Sequence, residues 1–349
     1  MQTRAPPLWK RCTMRIAIYG AGSLGTILGA YLAKVGIEAD LITRNEEHIA
    51  ALQENGAKVV GKASFAVPVR ALLPSEMEGV YDLIFLLTKQ LENNSVATFL
   101  KQYLAKEGML CTMQNGQPEP ELITILGKGR VCGCTIGWGA TRQGPGISEL
   151  TSEKDSLSFS LGMIEDSEQK ALEEIAAILR NMGTVEIDSN FLGARWSKLL
   201  INTAFSGMGT VVGGTYGDVV DNKEARALAL RIMKECIDTT QALEVTIEPI
   251  QGKDIVKLFN YSNTIKRWIS FHLIPFALKK HRTIRASMLQ DIEKGKPSEV
   301  DSINGVLSEQ ARKAGVPTPV NDKVIEVIHR IESGELRPEM GNLSQFAAL

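Results

Sequence analysis

No apolar run in this sequence reaches the roughly 18 residues needed to cross a bilayer, so it offers no candidate membrane span. Net charge is nearly absent as well: 39 basic and 40 acidic side chains leave −1 over 349 residues. No global field draws such a chain to nucleic acid or to an anionic membrane. Histidines are few. His48, His272, His281 and His329 are scattered, and their spacing fits no metal site. No Ser, His and Asp combination suggests a hydrolytic triad. The five cysteines are an odd number, unsuited to a closed disulfide framework. Cys132 and Cys134 have the wrong spacing for a zinc knuckle or a thioredoxin-type pair. Cys111, Cys132, Cys134 and Cys236 lie inside strand- or helix-like segments, as reduced, buried thiols of a cytoplasmic protein would. Internal repeats and low-complexity segments are missing too.

What is present reads as a soluble globular chain, 44% apolar and 23% charged. Its length exceeds what one hydrophobic core usually serves, so two domains are expected. Residues 1–13, MQTRAPPLWKRCT, lack an apolar stretch of signal-peptide length and precede a second methionine, Met14. They read as a disordered extension or an upstream start and stay outside the fold. The first half then alternates. Strand-like runs at 15–19, 38–43, 81–88, 109–113 and 130–138 are separated by helical patterns at 24–35, 46–55 and 91–106. Continuous Val/Ile/Leu strands between amphipathic helices predict an α/β domain, a doubly wound parallel sheet covered on both faces. Residues 58–71 suggest a hairpin or an extra strand, and 139–162 suggest turns between short antiparallel strands. A helix at 166–181 has Asp166 or Ser167 as its cap. From Asn190 onward the pattern is helical, with runs at 191–208, 223–243, 252–260, 264–280, 298–314 and 320–333. The expected division is an α/β domain at 14–188, an all-helical domain at 189–335, and a loose tail at 336–349.

Gly20-Ala21-Gly22-Ser23-Leu24-Gly25 has the form G-x-G-x-x-G. The pattern alone is weak. Its setting strengthens it: an apolar strand before, an amphipathic helix after, and a second strand on time. The first glycine permits a tight turn, the second lets a pyrophosphate approach the backbone, and the third lets helix and strand pack closely. The helix N-terminus then offers unpaired N–H groups to phosphate oxygens. Dinucleotide binding follows.

The second strand says which dinucleotide. NAD sites usually carry Asp or Glu at its C-terminal tip, for the ribose hydroxyls. Here the tip is Thr43-Arg44-Asn45, and the strand's nearest acid, Asp40, lies well back. A guanidinium suits a 2′-phosphate, which a carboxylate would repel. Arg44 therefore points to NADP(H). Two more loops follow strands whose carboxyl ends should face the ligand. Lys89 follows DLIFLLT and could reach a phosphate or the nicotinamide ribose, or be a plain strand-end charge. Asn115 follows MLCTMQ and could bond ribose or substrate, or form an ordinary Asn-Gly turn with Gly116.

In the helical half, ARWSKLLINTAFSGMGT puts Lys198 and Asn202 four residues apart, on one helix face at roughly 6 Å. A lysine among Trp196, Leu199, Leu200 and Ile201 is poorly placed as a solvated charge, although snorkelling is the alternative. Reducing a ketone by hydride transfer needs a proton or a positive charge at the oxygen. Lys198 can supply both, and Asn202 can orient the substrate. A second polar cluster, ASMLQDIEKGKPSEVDSING, offers Ser287 for a substrate carboxylate. Glu299 either pairs with Lys198, accepts from a substrate hydroxyl, or is simply an acid in a helix's first turn. Spacing does not choose. Asp291, Asp301 and Asn304 are supporting candidates. The basic run KKHRTIR at 279–285 reads as a solvated face.

Together, IAIYGAGSLG, LITR, LLTK, QNG, WSKLLIN and SMLQDIEKGKPSEVDSING resemble the ketopantoate reductase (2-dehydropantoate 2-reductase) family over about 14–333. The resemblance implies a Rossmann-type N-terminal domain, a helical C-terminal domain, and NADPH-dependent reduction of a 2-oxo acid to a D-2-hydroxy acid in pantothenate biosynthesis. It assigns the pyrophosphate to the glycine loop, the 2′-phosphate to Arg44, and the cofactor lining to Lys89 and Asn115. It makes Lys198 the general acid. Asn202, Ser287 and Asn115 become substrate-binding groups, and Glu299 orients the lysine and lines the cofactor. The sequence departs from the family in two places. Many members carry a further asparagine where this chain has Ser206, and the segment 259–280 does not align with the usual pattern. A related dehydrogenase of 2-oxo, 3-hydroxy or opine-type acids, and a non-catalytic NADP-binding redox sensor, remain alternatives. Neither a metal, a nucleic acid nor a membrane is expected as partner, and a homodimer is left open.

Overall fold

A computed structural model describes residues 14–165, 169–250 and 252–349. The expected extension at 1–13 and the expected caps Asp166 and Ser167 lie outside the described residues. The chain divides into two compact units. One comprises the described residues through Gln114 with Pro118–Phe191, and the other Asn115–Gln117 with Leu192–Leu349.

The first unit is α/β. Its eight-stranded sheet has the order β12-β11-β8-β7-β6-β1-β2-β5. The central strands are β1 (Ile16–Tyr19), β2 (Ala39–Ile42), β6 (Tyr81–Leu86) and β7 (Leu104–Thr112), all parallel. Residues such as Ile18, Leu41, Phe85 and Leu110 are fully buried, as apolar strands covered on both faces should be. β5 (Arg70–Leu72) adds a parallel edge beside β2, β8 (Val131–Ile136) continues beyond β7, and β11 (Ser158–Gly162) runs antiparallel to β8. β12 (Thr184–Ile187) closes that side.

A second sheet, β4-β3-β10-β9, was only partly legible in the sequence. β3 (Ala57–Gly61) and β4 (Phe65–Val67) form the expected hairpin. β10 (Ile147–Leu150) then pairs parallel with β3 and antiparallel with β9 (Ala140–Gly144). This small sheet and the large one both pack against α1 (Ser23–Lys34), which explains why Gly25 through Ala30 and Leu32 are all buried. One expected helix is corrected. α3 spans Asn93–Lys101 rather than reaching 106, because Leu104 opens β7, beside Tyr81.

The second unit is helical. α6 (Phe191–Ile201), α7 (Gly207–Val212), α8 (Tyr216–Asp221) and α9 (Lys223–Ala242) are followed by α10 (Ile255–Phe259), α11 (Thr264–Ala277) and α12 (Ser287–Glu293). α13 (Val300–Ala314) and α14 (Pro319–Glu332) form the last hairpin. Trp196, Phe205, Met208, Met233, Leu307 and Ile328 belong to one continuous core. The run at 191–208 is not one α-helix. It is interrupted by a π-turn at Asn202–Ser206. There the carbonyl of Thr203 accepts the Asn304 amide from α13 at 3.1 Å. The closing residues are not a loose tail. Met340–Phe346 form a 3₁₀ helix with Leu343 and Phe346 buried, and the Asn342 amide donates to the Val211 carbonyl at 2.9 Å.

Candidate active site

The glycine loop closes at the C-terminal edge of the large sheet. Gly20 has φ +101°, and its N–H and that of Ala21 both donate to the Ile42 carbonyl at 2.9 Å. A Cβ on Gly20 would lie 2.5 Å from the Thr88 nitrogen, and one on Gly25 would lie 2.6 Å from the Gly20 oxygen. These two glycines are required by the fold itself. Gly22 is different, since a Cβ there would meet nothing of the chain nearer than 4.0 Å. Gly22 is also the N-cap of α1, and no side chain caps that helix. Space beside Gly22 and N–H groups at Ser23 and Leu24 left uncapped by any side chain fit a bound pyrophosphate.

Arg44 is exposed just past β2, with Nη1 2.9 Å from the Glu92 carboxylate. Asp40, the strand's acid, is committed elsewhere. It accepts from the Tyr81 hydroxyl at 2.8 Å and lies 3.7 Å and 3.5 Å from the Arg15 and Arg70 guanidinium groups. Asn45 caps α2 (Glu46–Asn55) by accepting from the His48 N–H at 2.7 Å, and a second guanidinium, from Arg142 on β9, reaches the same oxygen at 3.3 Å. The tip of β2 thus carries two arginines.

His48, which the sequence gave no reason to single out, lies under this loop. Its Nδ1 accepts the Gly146 N–H at 2.9 Å, so a neutral ring carries its proton on Nε2, 3.0 Å from the Thr26 hydroxyl. Thr26 in turn donates to the Ala21 carbonyl at 3.4 Å. Burial, reinforced by the Arg142 charge, pushes the His48 pKa down to about 4. A neutral imidazole therefore ties the glycine loop to the small sheet. Gln114 plays a similar part beside Lys89. Its amide donates to the Thr88 carbonyl at 2.9 Å and to Asn93 at 2.7 Å, and it accepts from the Thr112 hydroxyl at 3.0 Å. The structure brings Gly20–Gly25, Arg44 and Lys89 to the carboxyl ends of neighbouring strands β1, β2 and β6, where the strand order reverses.

In the helical unit, Lys198 is half-buried on α6, flanked by buried Trp196, Leu199 and Leu200. Asn202 opens the π-turn, and π-turns recur at functional sites. Glu299 is the N-cap residue of α13 and is only 6% exposed, a carboxylate that needs donors or a cation around it. Asn304, one turn along, pins α13 to the π-turn through Thr203 and is held by Asn321 at 2.8 Å. Ser287 is the exposed first residue of α12, and Asn115 groups with this unit. Ser206 does not offer its hydroxyl to a ligand, because it is buried against the Tyr216 hydroxyl at 2.6 Å. Among the described residues no group of His, Cys, Asp and Glu is placed to hold a metal ion, and no helix is long and apolar enough to cross a membrane. Cys111, Cys132, Cys134 and Cys236 are buried free thiols.

Residues 16–162 match the family model of ketopantoate reductase PanE/ApbA, and residues 190–332 match that of its C-terminal domain. The chain belongs to the ketopantoate reductase family. A 2-dehydropantoate 2-reductase of Pyrococcus horikoshii is 28% identical over 312 residues, 88% of this chain and 94% of that protein. Its counterpart in Streptococcus pyogenes is 24% identical over 324 residues, 92% of this chain and 98% of that one. Among solved structures, a PanE/ApbA family ketopantoate reductase of Ralstonia eutropha superposes with a TM-score of 0.77 at 24% identity, covering 92% of this chain and 99% of that one. D-mandelate dehydrogenase with NADH and anilino(oxo)acetate superposes at 0.78 with 23% identity over the same shares. The structural likenesses establish a shared fold, Rossmann-type in the first unit and helical in the second. Ketopantoate reductases are oxidoreductases, which fits the glycine fingerprint of the first unit.

Proposed function

We propose that the protein is a cytoplasmic NADPH-dependent reductase that converts 2-dehydropantoate (ketopantoate) to D-pantoate in pantothenate biosynthesis. One observation carries the cofactor assignment: at the tip of β2 the side chains are Arg44, Asn45 and Arg142, while Asp40 is tied to Tyr81, Arg15 and Arg70. Two guanidinium groups complement a 2′-phosphate, the strand's own acid is committed elsewhere, and the Glu92 carboxylate nearby is paired with Arg44. The nicotinamide, when bound, supplies the hydride. The rest falls to the chain. Gly20–Gly25 hold the pyrophosphate on backbone N–H groups, and Lys89 and Asn115 line the cofactor. Lys198 donates a proton to the substrate's carbonyl oxygen as negative charge builds there. Glu299 orients the lysine and accepts from a cofactor or substrate hydroxyl. Asn202, Ser287 and Asn115 hold the substrate's carboxylate and hydroxyl. A pure redox sensor needs no proton donor, so Lys198, Asn202 and Glu299 together weigh against that reading.

A neighbouring 2-oxo acid is the second reading, and Ser206 favours it. Its hydroxyl is committed to Tyr216 where many family members present an amide, so this chain has one polar group fewer for the substrate's side chain. A panel of 2-oxo acids, with and without amines, assayed by loss of NADPH absorbance tests both. Highest kcat/KM with ketopantoate supports the first reading. A higher value with another oxo acid supports the second, and turnover only with an amine would point to opine chemistry.

A further inference from the structure

Asn304 sits in a polar network sealed inside the helical unit, and its side chain is fully buried. The amide nitrogen donates to the Thr203 carbonyl at 3.1 Å and to Asn321 Oδ1 at 2.8 Å. Both partners accept, so the amide can face only one way. Asn321 returns two bonds, to the Asn304 carbonyl at 2.9 Å and to the Ser308 hydroxyl at 2.8 Å. The backbone N–H groups of Val320 and Asn321 donate to the Glu235 carboxylate at 3.0 Å, which fastens α14 to α9. One atom is left out. Asn304 Oδ1 is buried and has no hydrogen-bond partner among the described residues. An unsatisfied oxygen in a core is costly, so what Asn304 contributes is the pair of bonds its nitrogen donates.

The first of those bonds meets a backbone that is out of register. In an α-helix each N–H donates to the carbonyl four residues back. The Gly207 N–H instead reaches the carbonyls of Asn202, five back, and Ala204, three back. It passes over the Thr203 carbonyl, and the Asn304 amide takes that carbonyl up. Gly207 also leaves room for the amide, since a Cβ there would lie 3.0 Å from Asn304 Nδ2.

We infer that Asn304 is a positioning residue for the proposed reduction: its bond to the Thr203 carbonyl holds the π-turn, and through it the placement of Asn202 and Lys198 relative to Glu299. The role rests on the reductase reading for its chemistry and on this geometry for its mechanism. Asn202 opens the π-turn, and Lys198 lies one turn before it on α6. Glu299 stands at the N-cap of α13, and Asn304 follows on the same helix, about 7.5 Å along its axis. A single hydrogen bond therefore ties the element bearing the lysine and the amide to the element bearing the carboxylate. Relaxing the turn to a regular helix would rotate the stretches on either side of it by about 100° relative to each other. Leu199 and Leu200 before the turn and Met208 and Val211 after it all belong to one core, which resists that rotation. The strain of a released turn then falls on the junction, where Asn202 sits. A misplacement of about 1 Å in a substrate-orienting group can cost on the order of 100-fold in rate.

The test compares Asn304→Ala with Asn321→Ala in the full chain. Both break the network, but only the first releases the Thr203 carbonyl. Backbone hydrogen exchange over residues 202–208 is followed by mass spectrometry. Turnover and NADPH affinity are measured where far-UV circular dichroism shows both variants folded, using the 2-oxo acid that wild type reduces best. Asn304→Ala should exchange faster over 202–208 and lose at least ~10-fold in kcat, with NADPH affinity unchanged. Asn321→Ala should melt earlier than wild type yet keep a kcat close to it. Asn202→Ala/Asn304→Ala should be little slower than Asn202→Ala alone, because the two act as one unit. If Asn304→Ala does not fold, Gly207→Ala presses a methyl on the same amide and is read in the same way. Unchanged exchange over 202–208, a kcat retained in Asn304→Ala, equal losses of kcat in Asn304→Ala and Asn321→Ala, or additive losses in the double variant would each overturn the proposal. A wild type that reduces no oxo acid would sink the reductase reading and this role with it, whereas an active wild type with kcat retained in Asn304→Ala sinks this role alone.

Discussion

The Arg44 guanidinium lies 2.9 Å from the Glu92 carboxylate, in direct contact with it just past β2, and the proposed 2′-phosphate would compete with that carboxylate for the arginine. Both groups are well exposed, so their attraction is worth about 0–1 kcal/mol and yields readily to a phosphate. Arg44→Ala should weaken NADPH binding by about 1.5–3 kcal/mol and leave NADH nearly unchanged. Glu92→Gln, by releasing the arginine and removing a competing anion, should tighten NADPH several-fold. Titration calorimetry with both nucleotides checks this, and equal losses for NADPH and NADH in Arg44→Ala would refute the assignment.

Arg142 reaches Asn45 at 3.3 Å from a strand of the other sheet. If it shares the 2′-phosphate, Arg142→Ala loses NADPH affinity by a similar order while NADH is spared. A variant that weakens both alike would make Arg142 merely a support for Asn45 and His48.

The glycines separate binding from folding. Gly22→Ala places a methyl where the chain leaves room, so thermal stability should hold while NADPH affinity falls at least ~10-fold. Gly25→Ala drives a methyl to 2.6 Å from the Gly20 oxygen and 3.2 Å from the Ile18 side chain, and should lower stability as well. Calorimetric melting of the two variants without nucleotide distinguishes them; equal melting temperatures would contradict the geometry.

His48 gives the fold a pH dependence with a definite sign. Its folded value is about 4 against an ordinary 6.5, because burial and Arg142 disfavour the imidazolium. Between those values the unfolded chain binds the proton and the folded chain does not. The stabilisation is complete above about pH 6.5 and is lost as pH falls towards 4, an effect on the order of 2–3 kcal/mol. In urea unfolding, His48→Gln should cost stability at pH 7, with the gap to wild type narrowing at pH 5. Parallel stability curves would remove His48 from this role.

What the sequence made legible was local. The Gly20–Gly25 loop, Arg44 and the α2 span 46–55 could be read because strand, turn and helix signals lie within a few residues of one another. The long-range supports could not. His48 meets Gly146 across 98 positions, Arg142 meets Asn45 across 97, and Asn304 reaches Thr203 across 101. A histidine in an amphipathic helix and an arginine in a Gly-rich segment carry no mark of such partners. The π-turn was hidden for the same reason, since the regular apolar spacing of 191–208 says nothing of an amide arriving from α13. The 3₁₀ helix near the C-terminus was misread as a loose tail because its two buried anchors, Leu343 and Phe346, are too few to show a period.

The account depends most on Lys198 as proton donor. The direct measurement is kcat for ketopantoate reduction by Lys198→Ala, with NADPH affinity determined on the same preparation. A fall in kcat of about 10²–10⁴ with NADPH binding intact is the predicted result. A near-normal kcat would contradict it.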